Sequence, residues 1–262
     1  MAKYRALFIS DVHLGTSTCQ AEMLIDFLRE HDAEMIYLVG DIVDFWRIKR
    51  GAVWPQSHNN VLQILLQKAR NGARVVFVPG NHDDGLREYC GTQFGGIFIE
   101  RDTVHETANR SRYLIVHGDE FDVVVQNIRW LAFLGDRAYE VAQWTNWPLN
   151  FVRRRMGLEY WSLSAYLKNR VKSAVNFIGD FEKSLSDEAK RRQANGVICG
   201  HIHRAASKDM EGVHYLNTGD WVESCTAIVE THSGEFEMID WLDVVKQRST
   251  PVQGSREVGV AA

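Results

Sequence analysis

The stretch Ile36-Tyr-Leu-Val-Gly-Asp-Ile-Val-Asp-Phe-Trp46 joins a strand of buried character to two carboxylates. The apolar run Met35–Val39 predicts a strand that ends at Gly40, and Asp41 and Asp44 follow in a loop. Ligands of open α/β sheets bind outside the carboxyl ends of the strands, so carboxylates in this position indicate chemistry rather than packing. The glycine fits this interpretation, because a residue without a Cβ lets the backbone turn sharply beside a ligand.

Four further strand-like runs end in loops that carry similar side chains. The runs cover residues 4–10, 74–78, 112–116 and 197–199, and a helix-like period at residues 20–31 separates the first run from the opening stretch. Strands and helices that alternate in this way predict parallel pairs joined by right-handed crossovers. We therefore expect most of the loops to meet at a single sheet edge. The candidate functional residues in the five loops are Asp11 and His13, Asp41 and Asp44, Asn81 and His82, His117, and His201 with His203.

This mixture of side chains suits a hydrolytic centre with two metal ions. Asp, Asn and His offer oxygen and nitrogen ligands, and one carboxylate can bridge two cations about 3.5–4 Å apart. Such a pair lowers the pKa of a shared water, which yields hydroxide near neutral pH, and it binds the oxygens of a phosphoryl group. Because imidazoles are prominent among the ligands, we predict two divalent ions, Mn²⁺ first, with Fe and Zn as alternatives; Mg²⁺ prefers oxygen ligands.

The bulk composition is that of an ordinary globular domain. The 262 residues carry a net charge of −4, with 45% apolar and 24% charged residues, so there is no overall basic field that would attract nucleic acid. The four cysteines are widely spaced and match no zinc or disulfide pattern. A secretory leader and a membrane-spanning run are both absent from the pattern, so we predict a cytoplasmic protein whose oligomeric state is left open.

Between residues 121 and 194 the strand-like pattern gives way to a different composition. This interval contains four of the eight tryptophans and the basic run Arg153–Arg155. We predict that residues 1–247 form one domain with a helical cap insertion at about 122–194. The polar stretch 248–262 has no period and is predicted to be a disordered tail.

Strand-like runs return after this interval, near residues 214–216, 225–229 and 236–239. They are separated by short turns rather than by helices. This spacing favours a second sheet that is more antiparallel than the first.

The five loops as a set resemble the ordered blocks of the calcineurin-like metallophosphoesterases. The resemblance covers roughly residues 4–240. It implies an α/β fold, a four-layer α/β/β/α sandwich with a helical cap insertion, together with a dinuclear metal centre and hydrolysis of phosphoesters or phosphoanhydrides. The matching blocks are Asp11-x-His13, Gly40-Asp41-x-x-Asp44, Gly80-Asn81-His82-Asp83, His117-Gly-Asp119 and Gly200-His201-x-His203.

The resemblance also implies a role for each residue. His82 corresponds to the catalytic acid or transition-state stabiliser of the family, and Asp44 to the carboxylate that orients it. Asp41 corresponds to the bridge between the two ions. One ion would be held by Asp11, His13, Asp41 and His203, and the other by Asp41, Asn81, His117 and His201.

Within the superfamily, the chain is most similar to the UDP-2,3-diacylglucosamine diphosphatases of lipid A synthesis and their paralogues. The similar segments are Asp11-Val-His-Leu-Gly15, Tyr160-Trp-Ser-Leu-Ser-Ala-Tyr-Leu-Lys168 and Asn217-Thr-Gly-Asp-Trp-Val-Glu223. The resemblance implies that a pyrophosphate is split into UMP and an acylated sugar 1-phosphate, with the cap around the acyl chains. It further implies a phosphorylated lipid or small-molecule substrate and peripheral contact with the inner membrane.

Four residues are candidates for contact with this substrate: Asn81, Asp122, Ser164 and Lys168. A helix cap explains Asp122 equally well. The tryptophans of the interval fit simple core packing as well as they fit ligand contact.

The chain departs from the narrower family at one pair of positions. It has His82 where those enzymes carry Arg, and Asp44 where they carry a Glu-type partner, and the His–Asp pair is the general form of the superfamily. A second function therefore stays open, in which the chain hydrolyses another phosphomonoester or phosphodiester. A non-catalytic scaffold is a third alternative, and it is disfavoured because every ligand position is filled.

Overall fold

Two β-sheets pack face to face and are covered by helices on both outer sides. The structure is a computed structural model that describes residues 3–51, 54–121, 155–156 and 163–249. In chain order the elements are β1 (Tyr4–Ile9), α1 (Ala21–Glu30), β2 (Ala33–Val39), α2 (Phe45–Ile48), α3 (Gln56–Arg70), β3 (Arg74–Val78), β4 (Thr92–Phe94), β5 (Ile97–Ile99), β6 (Thr103–Glu106), β7 (Arg112–Ile115), α4 (Leu163–Arg191), β8 (Gly196–Cys199), β9 (Ala206–Met210), β10 (Val213–Asn217), β11 (Thr226–Glu230), β12 (Phe236–Asp240) and α5 (Trp241–Ser249). Short 3₁₀ turns follow β3, at Asp84–Tyr89, and β7, at Asp119–Phe121.

The larger sheet has seven strands in the order β12-β11-β1-β2-β3-β5-β4. The pairs β1–β2 and β2–β3 are parallel, so the predicted parallel βαβ arrangement is confirmed. The smaller sheet has five strands in the order β6-β7-β8-β10-β9, and β7, β8 and β10 run parallel to one another.

Three apolar cores hold the layers together. The core between the two sheets includes Phe8 and Val39 from the larger sheet and Ile115 from the smaller one. The core under α1, α3 and α5 includes Phe27 and Trp241. Central parallel strands are buried on both faces, which explains why β1, β2 and β3 are nearly continuous apolar runs in the sequence.

The long helix α4 covers the outer face of the smaller sheet. Phe181, Leu185 and Ala189 are spaced four residues apart, lie on one side of the helix and are buried in one cluster with Leu114 and Tyr215. This half of α4 falls within the interval that we predicted as a cap, yet it forms the fourth layer of the sandwich. Apart from residues 155–156 and 163–194, the predicted cap lies outside the described residues.

The prediction of an antiparallel second sheet needs correction. The smaller sheet is mixed, and β11 and β12 join the larger sheet instead, where β11 pairs antiparallel with β1. All five residues of β11 are buried, as expected of an inner strand. The spacing of strands along a chain shows how they are connected but does not determine which sheet edge each strand joins.

Several short elements were not predicted. Strands β4, β5, β6 and β9 contain three to five residues, which is too few to display a period. Helix α5 runs through Arg248, whose guanidinium donates to the carboxylate of Glu30 at 2.6 and 2.7 Å. The predicted tail begins at residue 248, so its first two residues are helical, and residues 250–262 lie outside the described part of the chain.

None of the helices described is both long and apolar enough to cross a membrane. Helix α4 has 29 residues, which is a sufficient length, but charged side chains recur along it.

Candidate metal centre

The five loops predicted to carry ligands meet between the two sheets. Three of them follow β1, β2 and β3 of the larger sheet, and two follow β7 and β8 of the smaller sheet. All five loops leave the carboxyl ends of parallel strands. The expectation of a single sheet edge therefore holds for three loops, and the facing sheet supplies the other two.

Asp11, His13 and His203 form the first cluster. Their ligand atoms all lie within 4.8 Å of one another. The Nε2 atoms of His13 and His203 are 3.3 Å apart, and His203 Nε2 lies 3.0 Å from Asp11 Oδ1. Asp11 and His13 are buried, whereas the His203 side chain is 20% exposed at the rim. One carboxylate and two imidazoles from both sheets thus converge on one small volume.

Asp41, His117 and His201 form the second cluster, with the same limit of 4.8 Å between ligand atoms. Asp41 Oδ2 lies 3.5 Å from His117 Nε2 and 3.7 Å from His13 Nε2, so this oxygen faces both clusters. Its other oxygen accepts a hydrogen bond from the backbone N–H of His82 at 2.7 Å. This geometry is compatible with the bridging role predicted for Asp41, which stays a prediction.

Several buried ligand atoms lack a hydrogen-bond partner among the residues that the structure describes. They include Asp41 Oδ2, Asn81 Oδ1 and His117 Nε2. Buried polar atoms are nearly always paired, because an unpaired one costs about 1–3 kcal/mol. His117 Nδ1 hydrogen bonds to the carbonyl oxygen of Val39 at 2.9 Å and so carries the proton of the neutral ring, which leaves Nε2 with a free lone pair. Carboxylate, amide and imidazole atoms of this kind fit divalent cations.

The electrostatics of the centre lead to the same conclusion. Burial would lower the pKa of His117, but the adjacent Asp41 carboxylate outweighs burial and raises it to about 10. Burial would raise the pKa of Asp11 and Asp41, yet the imidazoles of His203 and His117 hold both below their usual range. The carboxylates of this site favour a proton on His117. Because metal ligands bind in their deprotonated form, a cation that binds here takes the place of that proton.

The backbone of the centre is strained at the ligands themselves. A left-handed φ is uncommon outside glycine and costs about 1–3 kcal/mol where the structure enforces it, usually at functional sites. Gly40 also has a φ of +81°, and a Cβ at this position would overlap the ring of His117, so the close approach expected of this glycine is present. The predicted ligands with φ between 51° and 71° are Asp11, His13, Asp41, His201 and His203.

Asp83 holds the loops in place, a role that sequence reasoning missed. Its buried carboxylate accepts hydrogen bonds from the backbone N–H groups of Gly80 at 2.6 Å, Ile42 at 2.7 Å, Val43 at 3.2 Å and Asp41 at 3.3 Å. Burial and the Asp41 carboxylate raise the pKa of Asp83 to about 7. The only signal in the sequence was its position in the third block, directly after His82.

The segment Asn217–Glu223, which served only as a mark of resemblance, supports the centre from behind. The side-chain amide of Asn217 donates to the carbonyl oxygen of Gly200 at 2.8 Å. The backbone N–H of Trp221 donates to the carbonyl oxygen of Asp11 at 3.0 Å. Ser10 donates to Asp11 Oδ2 and also contacts the hydroxyl of Thr218. This segment therefore ties the first loop to the fifth.

Arg87 and Asp119 link the third and fourth loops. The guanidinium of Arg87 donates to both carboxylate oxygens of Asp119, at 2.7 and 2.8 Å, and to the carbonyl oxygen of Pro79 at 3.2 Å. These contacts give Asp119 a structural role in the fourth loop. Arg87 was missed because it lies five residues beyond the third block's histidine, outside any motif.

His82 and Asp44 lie together at the edge of the clusters. His82 Nδ1 is 2.9 Å from Asp44 Oδ2, and His82 Nε2 is 4.0 Å from Asp41 Oδ2. Asp44 Oδ1 also accepts the backbone N–H of Arg47 at 2.9 Å and so caps α2. Burial would raise the pKa of Asp44, but the rings of His13 and His82 hold it below its usual range. One edge of the His82 ring thus contacts a carboxylate, and the other faces the centre.

Trp46 was not predicted to belong to the site. Its ring lies 4.2 Å from that of His82, centroid to centroid, with 35° between the planes. The side chain is nevertheless 42% exposed. A tryptophan held against His82 restricts the orientation of the imidazole and presents a flat apolar face at the mouth of the site.

Three predicted substrate contacts cannot be placed. Asp122 lies outside the described residues, and Ser164 and Lys168 belong to α4 but their side chains lie outside the description. Their roles stay predictions.

The chain is similar to several known proteins. The model of the calcineurin-like phosphoesterase family matches residues 4–205. A UDP-2,3-diacylglucosamine hydrolase from Aliivibrio fischeri is 25% identical over 255 residues, covering 88% of this chain and 99% of that protein. One from Haemophilus influenzae is 25% identical over 245 residues, covering 88% and 97%. Among solved structures, a Vps29 variant from Entamoeba histolytica gives a TM-score of 0.44 at 14% identity and covers 90% of this chain and 98% of its own.

Proposed function

We propose that this chain, which belongs to the calcineurin-like phosphoesterase family and is a metal-dependent phosphohydrolase, cleaves the pyrophosphate of UDP-2,3-diacylglucosamine to UMP and the acylated sugar 1-phosphate. The observation that carries the reaction class is the position of Asp41, whose unpaired oxygen faces both ligand clusters. The choice of substrate is supported by relatives of that name, which align with 88% of the chain.

The residues of the centre would hold two divalent cations. When bound, such ions stabilise charge on a phosphoryl group and lower the pKa of water. We propose Mn²⁺, because imidazole and carboxylate ligands together suit it better than Mg²⁺. Asn81 can serve twice, since its Oδ1 can bind an ion while its side-chain N–H₂ donates to the substrate. The two sets are Asp11, His13, Asp41 and His203 for one ion, and Asp41, Asn81, His117 and His201 for the other.

His82 would supply the proton that the leaving group needs. As water oxygen bonds to phosphorus, the bond from phosphorus to the bridging oxygen breaks, and the departing oxygen takes up a proton. The Asp44 carboxylate, 2.9 Å from His82 Nδ1, orients the imidazole ring and directs Nε2 towards the centre. The ring of Trp46 packs against the imidazole of His82 and limits its rotation.

The remaining parts of the proposal concern the substrate's lipid half. We propose that Asp122, Ser164 and Lys168 contact the sugar or its phosphate and that the residues around them enclose the acyl chains. Because a substrate with acyl chains resides in a membrane, we propose that the protein works in the cytoplasm at the inner-membrane surface.

Substrate comparison tests this proposal directly. The full-length protein, loaded with Mn²⁺, is assayed on UDP-2,3-diacylglucosamine and on bis(p-nitrophenyl) phosphate. We expect UMP release from the lipid with a kcat/KM at least about 100-fold above that for the diester, because binding of the remote acyl and uridine groups lowers the barrier. Hydrolysis of the diester without release of UMP from the lipid would overturn the substrate and leave the metal centre intact.

A second candidate function is hydrolysis of another phosphomonoester or phosphodiester. The pair of His82 and Asp44 favours it, because this pair is the general form of the superfamily rather than that of the lipid A enzymes. A panel of phosphomonoesters and cyclic and linear phosphodiesters, assayed with the same preparation, distinguishes the two functions by their kcat/KM values.

A further inference from the structure

A cleft of about 530 Å³ opens beside the metal centre, next to α2. Its walls are the loop after β1, the end of α2 with the turn that follows, and the first turn of α3. Gly15 of this lining comes two residues after His13, and the backbone N–H of Arg47 donates to Asp44. The cleft therefore adjoins the loops that carry His13 and Asp44, and none of the roles assigned above uses it.

Two arginines dominate the charge of the cleft. Arg47 and Arg50 are three residues apart, and the N–H of Arg50 donates to the carbonyl oxygen of Arg47 at 3.0 Å, so one helical turn places both side chains on the same face. Both are exposed, and neither forms an ion pair with any residue in the described ranges. The one acidic residue of the lining is Glu22, which leaves the cleft with a positive excess on a chain of net charge −4.

A buried histidine in the same lining has a donor to spare. The side chain of His58 is only 2% exposed, and its Nδ1 accepts the N–H of Gly15 at 3.1 Å. Because Nδ1 accepts this hydrogen bond, the proton of the neutral ring is on Nε2, and burial lowers the pKa of His58. Nε2 makes no hydrogen bond to any residue that the structure describes. His58 lines the cleft, so this N–H group can donate to a ligand there that accepts hydrogen bonds.

We propose that this cleft binds a second phosphoryl group of the substrate, the one that is not attacked at the metal centre. Two guanidinium groups side by side offer the paired N–H donors that suit phosphate oxygens, and His58 adds a third donor. Apart from Cys19 and Pro55 the lining is polar or glycine, which disfavours an acyl chain. The inference rests on the proposed function, since only a diphosphate carries two linked phosphoryl groups.

The test measures binding, so it is independent of turnover. Full-length protein loaded with Mn²⁺ is titrated calorimetrically with uridine 5′-(α,β-methylene)diphosphate, which has two phosphoryl groups and resists hydrolysis, and with UMP, which has one. We expect Arg47→Gln and Arg50→Gln each to raise the Kd of the diphosphate about tenfold, as the loss of a charge-assisted hydrogen bond does. The Kd of UMP should change by less than about threefold, because its single phosphoryl group occupies the metal centre.

The same segment supplies a matched control. Lys49 lies between the two arginines, is exposed and is not part of the cleft lining, so Lys49→Gln removes the same charge and should leave both Kd values within about twofold. Glu22→Gln removes the opposing charge and should lower the Kd of the diphosphate. Unchanged binding in both arginine variants, or an equal loss in Lys49→Gln, would overturn the subsite. If the arginine effect holds but UDP-2,3-diacylglucosamine is not cleaved, the proposed substrate falls and the subsite stands.

Discussion

Two buried clusters of carboxylates and histidines lie near opposite ends of β1, and only one of them has the properties of a functional site. At the carboxyl end is the metal centre around Asp41. Near the amino end is the Glu230 cluster, which consists of Arg5, Tyr37, His105 and Glu230. Glu230 and His105 are as deeply buried as Asp41 and His117, at 0–2% exposure. Burial and residue type alone therefore do not distinguish the two clusters.

The difference lies in hydrogen-bond satisfaction. Both oxygens of Glu230 are fully occupied, by Arg5 at 2.8 and 3.0 Å, by His105 Nε2 at 2.6 Å and by the N–H of Ala108 at 2.8 Å. The other nitrogen of His105 contacts the hydroxyl of Tyr37 at 3.1 Å. The metal centre instead turns unpaired atoms inwards, and among the residues that the structure describes no arginine balances its carboxylates. A satisfied polar network stabilises a fold, whereas converging unsatisfied atoms need a ligand.

The backbone separates the two clusters in the same way. Arg5, Tyr37, His105 and Glu230 lie within regular strands. Five of the predicted metal ligands have a left-handed φ, in loops held by Asp83 and by the segment Asn217–Glu223. Strain of this kind persists only where surrounding contacts enforce it, which is the pattern of an assembled site.

Removal of the bridging carboxylate should have the largest effect. Asp41→Ala deletes the atom that faces both clusters, so we expect bound Mn²⁺ to fall from two ions to one or none. Because several kcal/mol of transition-state stabilisation are lost with the ions, kcat/KM should fall at least about 10³-fold. Metal content by mass spectrometry and turnover are measured on the same preparation.

Asp41→Asn is the matched control for folding, because it keeps an acceptor for the N–H of His82 and removes the charge. Both variants should retain the wild-type circular dichroism, but the addition of Mn²⁺ should raise their Tm by less than it raises the Tm of the wild type. Full activity in either variant would contradict the two-ion centre and remove the distinction between the two clusters.

His82→Ala sharpens the comparison by separating the chemistry from metal binding. We expect kcat to fall about 10²–10⁴-fold, as loss of a general acid does, while both ions stay bound. Asp44→Asn should give a smaller loss, since His82 is retained and only the carboxylate charge beside it is removed. Loss of metal in His82→Ala would assign His82 to the ligand set instead, a possibility that its distance of 4.0 Å from Asp41 Oδ2 makes worth measuring.

The sequence predicted the metal centre better than it predicted the support around it. Asp11 and Asp41 follow apolar strands of one sheet, so their proximity follows from parallel pairing, whereas His117 comes from the facing sheet, whose packing against the first no strand pattern specifies. Arg87, Trp46 and the Glu230 cluster depend on contacts between distant parts of the chain, such as the 125 residues between His105 and Glu230, and no local pattern encodes these. Strands β11 and β12 were assigned to the wrong sheet for the same reason, because a turn does not specify the strand's partner.

The smallest effect on activity, and the converse of the first prediction, is expected from Glu230→Gln. Removal of one partner from a buried ion pair costs about 3–5 kcal/mol. Because Arg5 is 23% exposed, we expect Glu230→Gln to lower the free energy of unfolding by less, about 2 kcal/mol at pH 7, and to leave kcat within about twofold of wild type.

Burial would raise the pKa of Glu230, but His105, the N–H of Ala108 and Arg5 together lower it from 4.5. A lowered pKa means that this stabilisation is fully present above about pH 4.5 and is lost as the pH falls through the value in the folded state. Urea unfolding at pH 7 and at pH 3.5 should therefore show a difference in the free energy of unfolding between wild type and Glu230→Gln that shrinks in acid.

Glu34 is an exposed glutamate with His232 at 3.8 Å, and it supplies the control. Glu34→Gln should lower the free energy of unfolding by less than about 0.5 kcal/mol at pH 7. A Glu230→Gln protein that is as stable as wild type but inactive would show that the two clusters do not differ in the way that their hydrogen bonds indicate.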